Sequence, residues 1–189
     1  MKKLLMMISI LGLAVMTGCG DENPLDAAWS KFEDAKGTDD YTEAYTAFAD
    51  LVDGEGTPAI VGLGWTVLRM DSLDAADRYF AGIAEDSVVD AFAGWQFAVW
   101  ALGRSADNIA KGDFVLRKEP RYVFEHDRTV TDDDVVLHQA YGYFHTGNYS
   151  KCIEKILKLD SGYIAPAISD PEIDEKLLTK LESLRSSAG

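Results

Sequence analysis

The sequence is short of cysteine, of basic residues and of long apolar runs, and each shortage excludes something. Two cysteines in 189 residues cannot build a disulfide scaffold. Lys and Arg number 18 against 32 Asp and Glu, a formal charge of −14. Phosphate binding needs clustered Lys and Arg, so nucleic acid is excluded as a partner. Electrostatic docking on an anionic membrane surface is excluded for the same reason. The apolar run Leu4 to Val15 is too short for a bilayer core of ~30 Å, which needs about 20 residues. No Gly-x-Ser-x-Gly, P-loop or Gly-x-Gly-x-x-Gly motif is present, so no catalytic site is expected and the chain is read as a non-enzyme with no cofactor. What the chain has is apolar residues, 47% of the total, which fits a packed core. Its length fits one domain or a short repeat array.

The first residues, Met1-Lys2-Lys3 followed by Leu4 to Val15 and then Met16-Thr17-Gly18-Cys19, have the basic, apolar and small-residue zones of a secretory signal peptide. Thr17-Gly18-Cys19 resembles the lipobox of bacterial lipoproteins, with Met16 where that family has Leu. The resemblance implies cleavage before Cys19, lipidation of its thiol, and anchoring in a lipid bilayer by two or three acyl chains, each buried CH₂ contributing ~0.8 kcal/mol. Residues 1–18 are then a signal and 19–25 a short acidic tether. Gly20 stands where an Asp would resemble an inner-membrane retention signal. The expected address is therefore the cell envelope, with the outer membrane favoured if the cell has two. Cleavage removes Lys2 and Lys3 and no acid, so the mature charge deepens to −16. Only Cys152 is left as a thiol, as a buried packing residue at a small-residue position.

Self-comparison reveals a repeat. Tyr41, Ala44, Phe48 and Leu51 have the same spacing as Leu73, Ala76, Phe80 and Ile83, and as Tyr149, Cys152, Ile156 and Leu159. A degraded copy at Ser105, Asn108, Gly112 and Val115 lies 32 residues after Leu73, and Tyr149 follows Ser105 by 44, so a dozen residues are inserted there. Each set is one face of a helix. Before each lies another periodic stretch, at Asp26–Ala35, Ala59–Met70, Asp90–Leu102 and Asp134–Thr146, joined by turns at Lys36–Asp40, Asp71-Ser72, Gly103-Arg104 and Gly147-Asn148. The expected fold is all-α, a short α-solenoid of about four helix-turn-helix repeats over 26–168. Only Phe114–Val123 hints at a strand. Over 169–189 a last helix is expected, with Asp170 as cap, Pro171 in its first turn, and an apolar stripe of Ile173, Leu177, Leu181 and Leu184.

In Leu63-Gly64 with Ala76, Phe80 and Ile83, and in Ala140, Tyr143, Gly147, Tyr149, Cys152 and Ile153, the chain resembles the tetratricopeptide repeat family. Pro58 and Pro120 sit near repeat boundaries, as is common there. The resemblance covers roughly Asp26 to Asp160. It implies that the first helix of each pair lines a concave face that binds extended peptides or helices.

The 32-residue period projects Trp29, Trp65, Arg69, Phe97, Trp100, Tyr141 and His145 onto that face as partner-binding residues. Trp and Tyr offer large contact areas and are frequent hot spots; the competing reading is that they are ordinary core. The insertion near 117–131 is a second candidate, with Arg117, Lys118, Arg121 and Arg128 concentrated beside Tyr122 and Phe124; its competing reading is a packed loop. His126, His138 and His145 share 20 residues with several acids, but no His-x-x-x-His or Glu-x-x-His pair occurs and helix capping by Thr131 accounts for Asp132–Asp134, so no metal is assigned. The resulting expectation is a membrane-anchored extracytoplasmic adaptor that binds a protein or peptide partner through an aromatic concave groove. The alternative is a lipoprotein that binds a small hydrophobic ligand in that groove. A metal-dependent hydrolase at the histidines is weakest.

Overall fold

In a computed structural model, residues 23–187 are described, and among them the structure is helical without strands. Nine α-helices follow one another among these residues: α1 (Pro24–Asp34), α2 (Thr42–Glu55), α3 (Thr57–Arg69), α4 (Leu73–Gly82), α5 (Val89–Ala101), α6 (Ser105–Lys118), α7 (Asp132–His145), α8 (Tyr149–Leu159) and α9 (Ile173–Ser187). Each packs on the next, and the odd-numbered helices also touch in succession, α1 on α3, α3 on α5, α5 on α7 and α7 on α9. Cys19 and the expected leader lie outside the described residues. The first helix begins at Pro24, inside the expected tether, because Asn23 caps it by accepting the Leu25 N–H at 3.0 Å.

Three helix ends are copies of one another. The N–H groups of Ser72, Arg104 and Asn148 donate to the carbonyls of Val67, Val99 and Tyr143, and those of Asp71, Gly103 and Gly147 to Leu68, Trp100 and Phe144. This paired pattern is the Schellman closure, which needs a left-handed residue after the helix. Gly103 and Gly147 supply it at φ of 73° and 72°, and Asp71 adopts φ 57°. The three turns are spaced 32 and 44 residues apart, as the sequence period requires. The first pair is joined differently, through a 3₁₀ turn at Thr38–Tyr41.

The second helix of each pair presents equivalent positions to the interior. Ala44, Ala76, Asn108 and Cys152 are all fully buried. In the first two pairs a phenylalanine follows one turn later, and the preceding and following helices make room for it. The Phe80 ring is held between α3 and α5 so tightly that a Cβ on Gly64 or Gly94 would come within 2.4 or 2.5 Å of it. Close backbone approach of this kind is what glycine inside a helix permits. In the third pair the space is filled differently. Gln96 of α5 donates to Asn108 Oδ1 and to the Val135 carbonyl, both at 3.0 Å, and Asn108 donates to the His138 carbonyl at 2.6 Å. Gln139 donates to Asp113 Oδ1 at 2.7 Å and accepts from Lys155 Nζ. Two amide side chains occupy the volume of an aromatic ring, and Gly112 is the residue that clears them. This polar seam lies between two apolar clusters, one drawn mainly from α1–α6 and residues 122–135, the other mainly from α7–α9 with Trp100 of α5 against it.

Phe114 to Lys118, the start of the stretch that hinted at a strand, is helix, in keeping with the all-α expectation. One boundary is corrected. The last helix starts at Ile173, after a turn in which Asp170 accepts the Glu172 N–H at 2.9 Å. Its stripe is as expected: Ile173, Leu177 and Leu181 are buried, and Leu184 packs against the same cluster.

Candidate functional site

The side chains projected onto one face do come together. Trp29 belongs to α1, Trp65 and Arg69 to α3, Phe97 and Trp100 to α5, and Tyr141 and His145 to α7. Trp65 meets Phe97 edge-on at 5.9 Å, and Trp100 meets Tyr141 at 5.8 Å. Trp95 points elsewhere: its indole N–H reaches Asp77 Oδ1 at 2.6 Å and Lys111 Nζ lies 3.5 Å from its ring centroid. The register in the third pair is therefore the projected one.

The face is not open. Residues 119–131 fold back across α1, α3 and α5 as a small hairpin. Val123 and Thr131 form an isolated β-bridge, the Phe124 N–H donates to the Val130 carbonyl at 3.0 Å, and the Asp132 N–H to the Tyr122 carbonyl at 2.8 Å. Backbone alternation turns Tyr122 and Phe124 inward, both fully buried, and leaves Val123 between them 47% exposed. Phe124 stacks on Trp65 with centroids 4.1 Å apart, and its edge faces Trp29 and Phe32. His126 stacks on Trp29 at 3.7 Å and binds Glu33 Oε1 through Nδ1 at 2.8 Å. Asp127 pairs with Arg69. Tyr122 donates its hydroxyl to Asp90 Oδ1 at 2.8 Å. Burial raises the Asp90 carboxyl above its ordinary range, and burial beside Asp90 raises the Tyr122 hydroxyl, so this pair stays neutral at the phenol.

The fourth pair is covered by α9. Tyr141 donates its hydroxyl to Glu182 Oε1 at 2.8 Å, and Leu177 and Leu181 pack beneath it. Trp29, Trp65 and Tyr141 are thus interior residues, out of a partner's reach in this conformation, because the chain itself supplies what lies against them. Arg69 is engaged by Asp127. Phe97 and Trp100 are half-buried, and His145 is exposed beside Tyr141 and Phe144. The insertion does not project: it is a packed loop, with Arg121 and Arg128 at its surface. Phe124 and His126 lie directly over the Trp65 and Trp29 rings.

The three histidines are apart in role. His126 is stacked as described. His138 sits between Phe97 at 4.5 Å and Trp100 at 4.3 Å, its Nδ1 buried without a partner. Burial lowers its pKa to about 3, which keeps the ring neutral. Among the described residues no group of three or more His, Cys, Asp and Glu side chains is placed to hold a metal ion. Cys152 is fully buried and burial pushes its thiol up to about 12, the behaviour of a packing residue. The helix α7 begins with the expected cap, the Thr131 N–H donating to Asp134 Oδ2 at 2.8 Å. Among the described residues no helix is long and apolar enough to cross a membrane.

Sequence reasoning missed two features. The polar seam was hidden because Asn108 and Gly112 read as a worn repeat; their helical partners Gln96 and Gln139 were the available signal. The second is a cleft of about 720 Å³ between α9 and the segment 160–172, whose signal was an apolar run, Ile164 to Ile168, in a stretch with no periodicity. No protein-family model matches the chain, and no curated protein and no solved structure matches it.

Proposed function

We propose that this chain is a tetratricopeptide-like repeat module, a short α-solenoid, that is anchored to a membrane of the cell envelope through a lipid on Cys19 and binds a protein partner. The observation that carries the repeat reading is the recurrence of one Schellman turn and one buried small-residue position at the same 32- and 44-residue spacings. The lipobox-like Thr17-Gly18-Cys19 carries the anchor reading. Asn23 already caps α1, so only a few residues join the lipid to the first helix, and at no more than ~3.6 Å per residue the helical body stays close to the bilayer. The role is binding, not catalysis. Because Trp29, Trp65 and Tyr141 are engaged by the chain's own segments, partner contact falls to surfaces outside the filled groove.

Two measurements test this. Radiolabelled palmitate should enter the native chain and not Cys19→Ser, which should also leave the membrane fraction. Affinity capture from solubilised membranes should then retrieve a discrete partner with the native chain. Labelling of Cys19→Ser would contradict the anchor; capture of nothing would contradict the interaction role.

A further inference from the structure

The cleft between α9 and the segment 160–172 leaves apolar surface uncovered. Ile164, which lines it, is 92% exposed, and Ile168, further along the same segment, is 53% exposed. Its walls are fixed at both ends. Lys180 of α9 binds Asp160 Oδ2 at 2.7 Å, and Lys176 binds Asp170 Oδ2 at 2.8 Å and Glu172 Oε2 at 3.1 Å. The two lysines that line the cleft are therefore shared among three carboxylates. Glu175, also in its wall, makes no ion pair among the described residues, the cleft lysines being engaged by Asp160, Asp170 and Glu172. The cleft combines bare isoleucine with a surplus of negative charge.

That combination selects its occupant. A second copy of a chain with charge −14 is repelled. An anionic lipid surface is repelled for the same reason. The residues before Asn23 join α1, which packs on α2 and α3, whereas α9 packs on α7 and α8 at the other end of the row. The geometry points to a peptide segment of a partner protein that carries apolar side chains beside Lys or Arg, the apolar groups covering Ile164 and Ile168 and a cation meeting Glu175. This names the partner class for the interaction role proposed above and rests on that reading.

The test uses the full chain in detergent and two short fluorescein-labelled peptides, one of lysine, isoleucine and alanine, the other with glutamate for lysine. Anisotropy should show saturable binding of the lysine peptide and none of the glutamate peptide. Ile164→Ser/Ile168→Ser alters exposed residues and leaves every charge in place, and it should weaken the lysine peptide about tenfold or more. Glu175→Lys should weaken it as well, with circular dichroism unchanged in both variants. Equal binding of the two peptides, or binding indifferent to the isoleucine substitutions, would overturn the assignment. Light scattering that shows a dimer dissolved by the same substitutions would overturn it in favour of self-association. The two readings fail separately. A membrane partner still captured by Ile164→Ser/Ile168→Ser would remove the cleft and leave the interaction role; peptide binding without any captured partner would do the reverse.

Discussion

The two halves of the molecule face the same problem and solve it differently. In α1–α6 the inner face is aromatic, and a thirteen-residue hairpin from far along the chain closes it by ring stacking: Phe124 on Trp65 and His126 on Trp29. In α7–α9 the inner face is closed by the next helix, whose Leu177 and Leu181 lie on a regular stripe. The first solution is non-local and buries the Tyr122 and Phe124 rings it brings. The second is local and modular, and it leaves the connecting segment 160–172 with isoleucines in solvent. Closure of an aromatic face by the chain itself thus turns residues typical of a binding hot spot into core.

The contrast can be broken by substitution. Phe124→Ala removes a ring that touches α1 and α3 together, and should cost about 3–5 kcal/mol in urea unfolding. Leu181→Ala should cost about 2–5 kcal/mol by the same measurement. The two belong to different clusters, so the double variant should lose their sum within about 0.5 kcal/mol. A large coupling would show that the polar seam does not separate the halves. Gly94→Ala would drive a methyl into the Phe80 ring, at about 1–3 kcal/mol, and sharpens the claim that the N-terminal half is packed to its limit. A pH-dependent handle lies on the boundary. The folded pKa of His138, about 3, is below its ordinary 6.5, so on acidification the unfolded chain takes up this proton first. Stability contributed by the neutral ring is fully present above about 6.5 and is lost as pH falls from there toward 3, at up to about 1.4 kcal/mol per pH unit. His138→Met should flatten that part of the pH profile by denaturant unfolding. The smallest effect belongs to the exposed end: Ile164→Ser should change stability by less than about 0.5 kcal/mol.

Much of this fold was legible because it is local. Helix pairs, the turns at Gly103 and Gly147, the cap of α7 and the stripe of α9 all rest on residues a few positions apart, which periodicity reports directly. The common orientation of Trp65, Phe97 and Trp100 was legible too, since the recurring helical spacing carries one face from pair to pair. What lies against that face was not. Phe124 reaches Trp65 from 59 residues away and Trp29 from 95, and no spacing rule encodes such a contact. A local sign did exist, the alternation of Tyr122, Val123 and Phe124, but a single bridge is too short to stand out as a strand. The polar seam was obscured for another reason. Gln96 and Gln139 each look like surface residues alone, and only their convergence on Asn108 and Gly112 explains why the third helix pair departs from the others.

The central claim is that the chain occupies its own aromatic face, and the most direct test is a nuclear Overhauser spectrum of the aromatic protons. Cross-peaks between Phe124 and the Trp65 indole, and between His126 and the Trp29 indole, are expected from rings 4.1 and 3.7 Å apart. Their absence in the folded chain, with both tryptophan indoles open to a soluble quencher, would mean that the groove is empty and that the account of its closure is wrong.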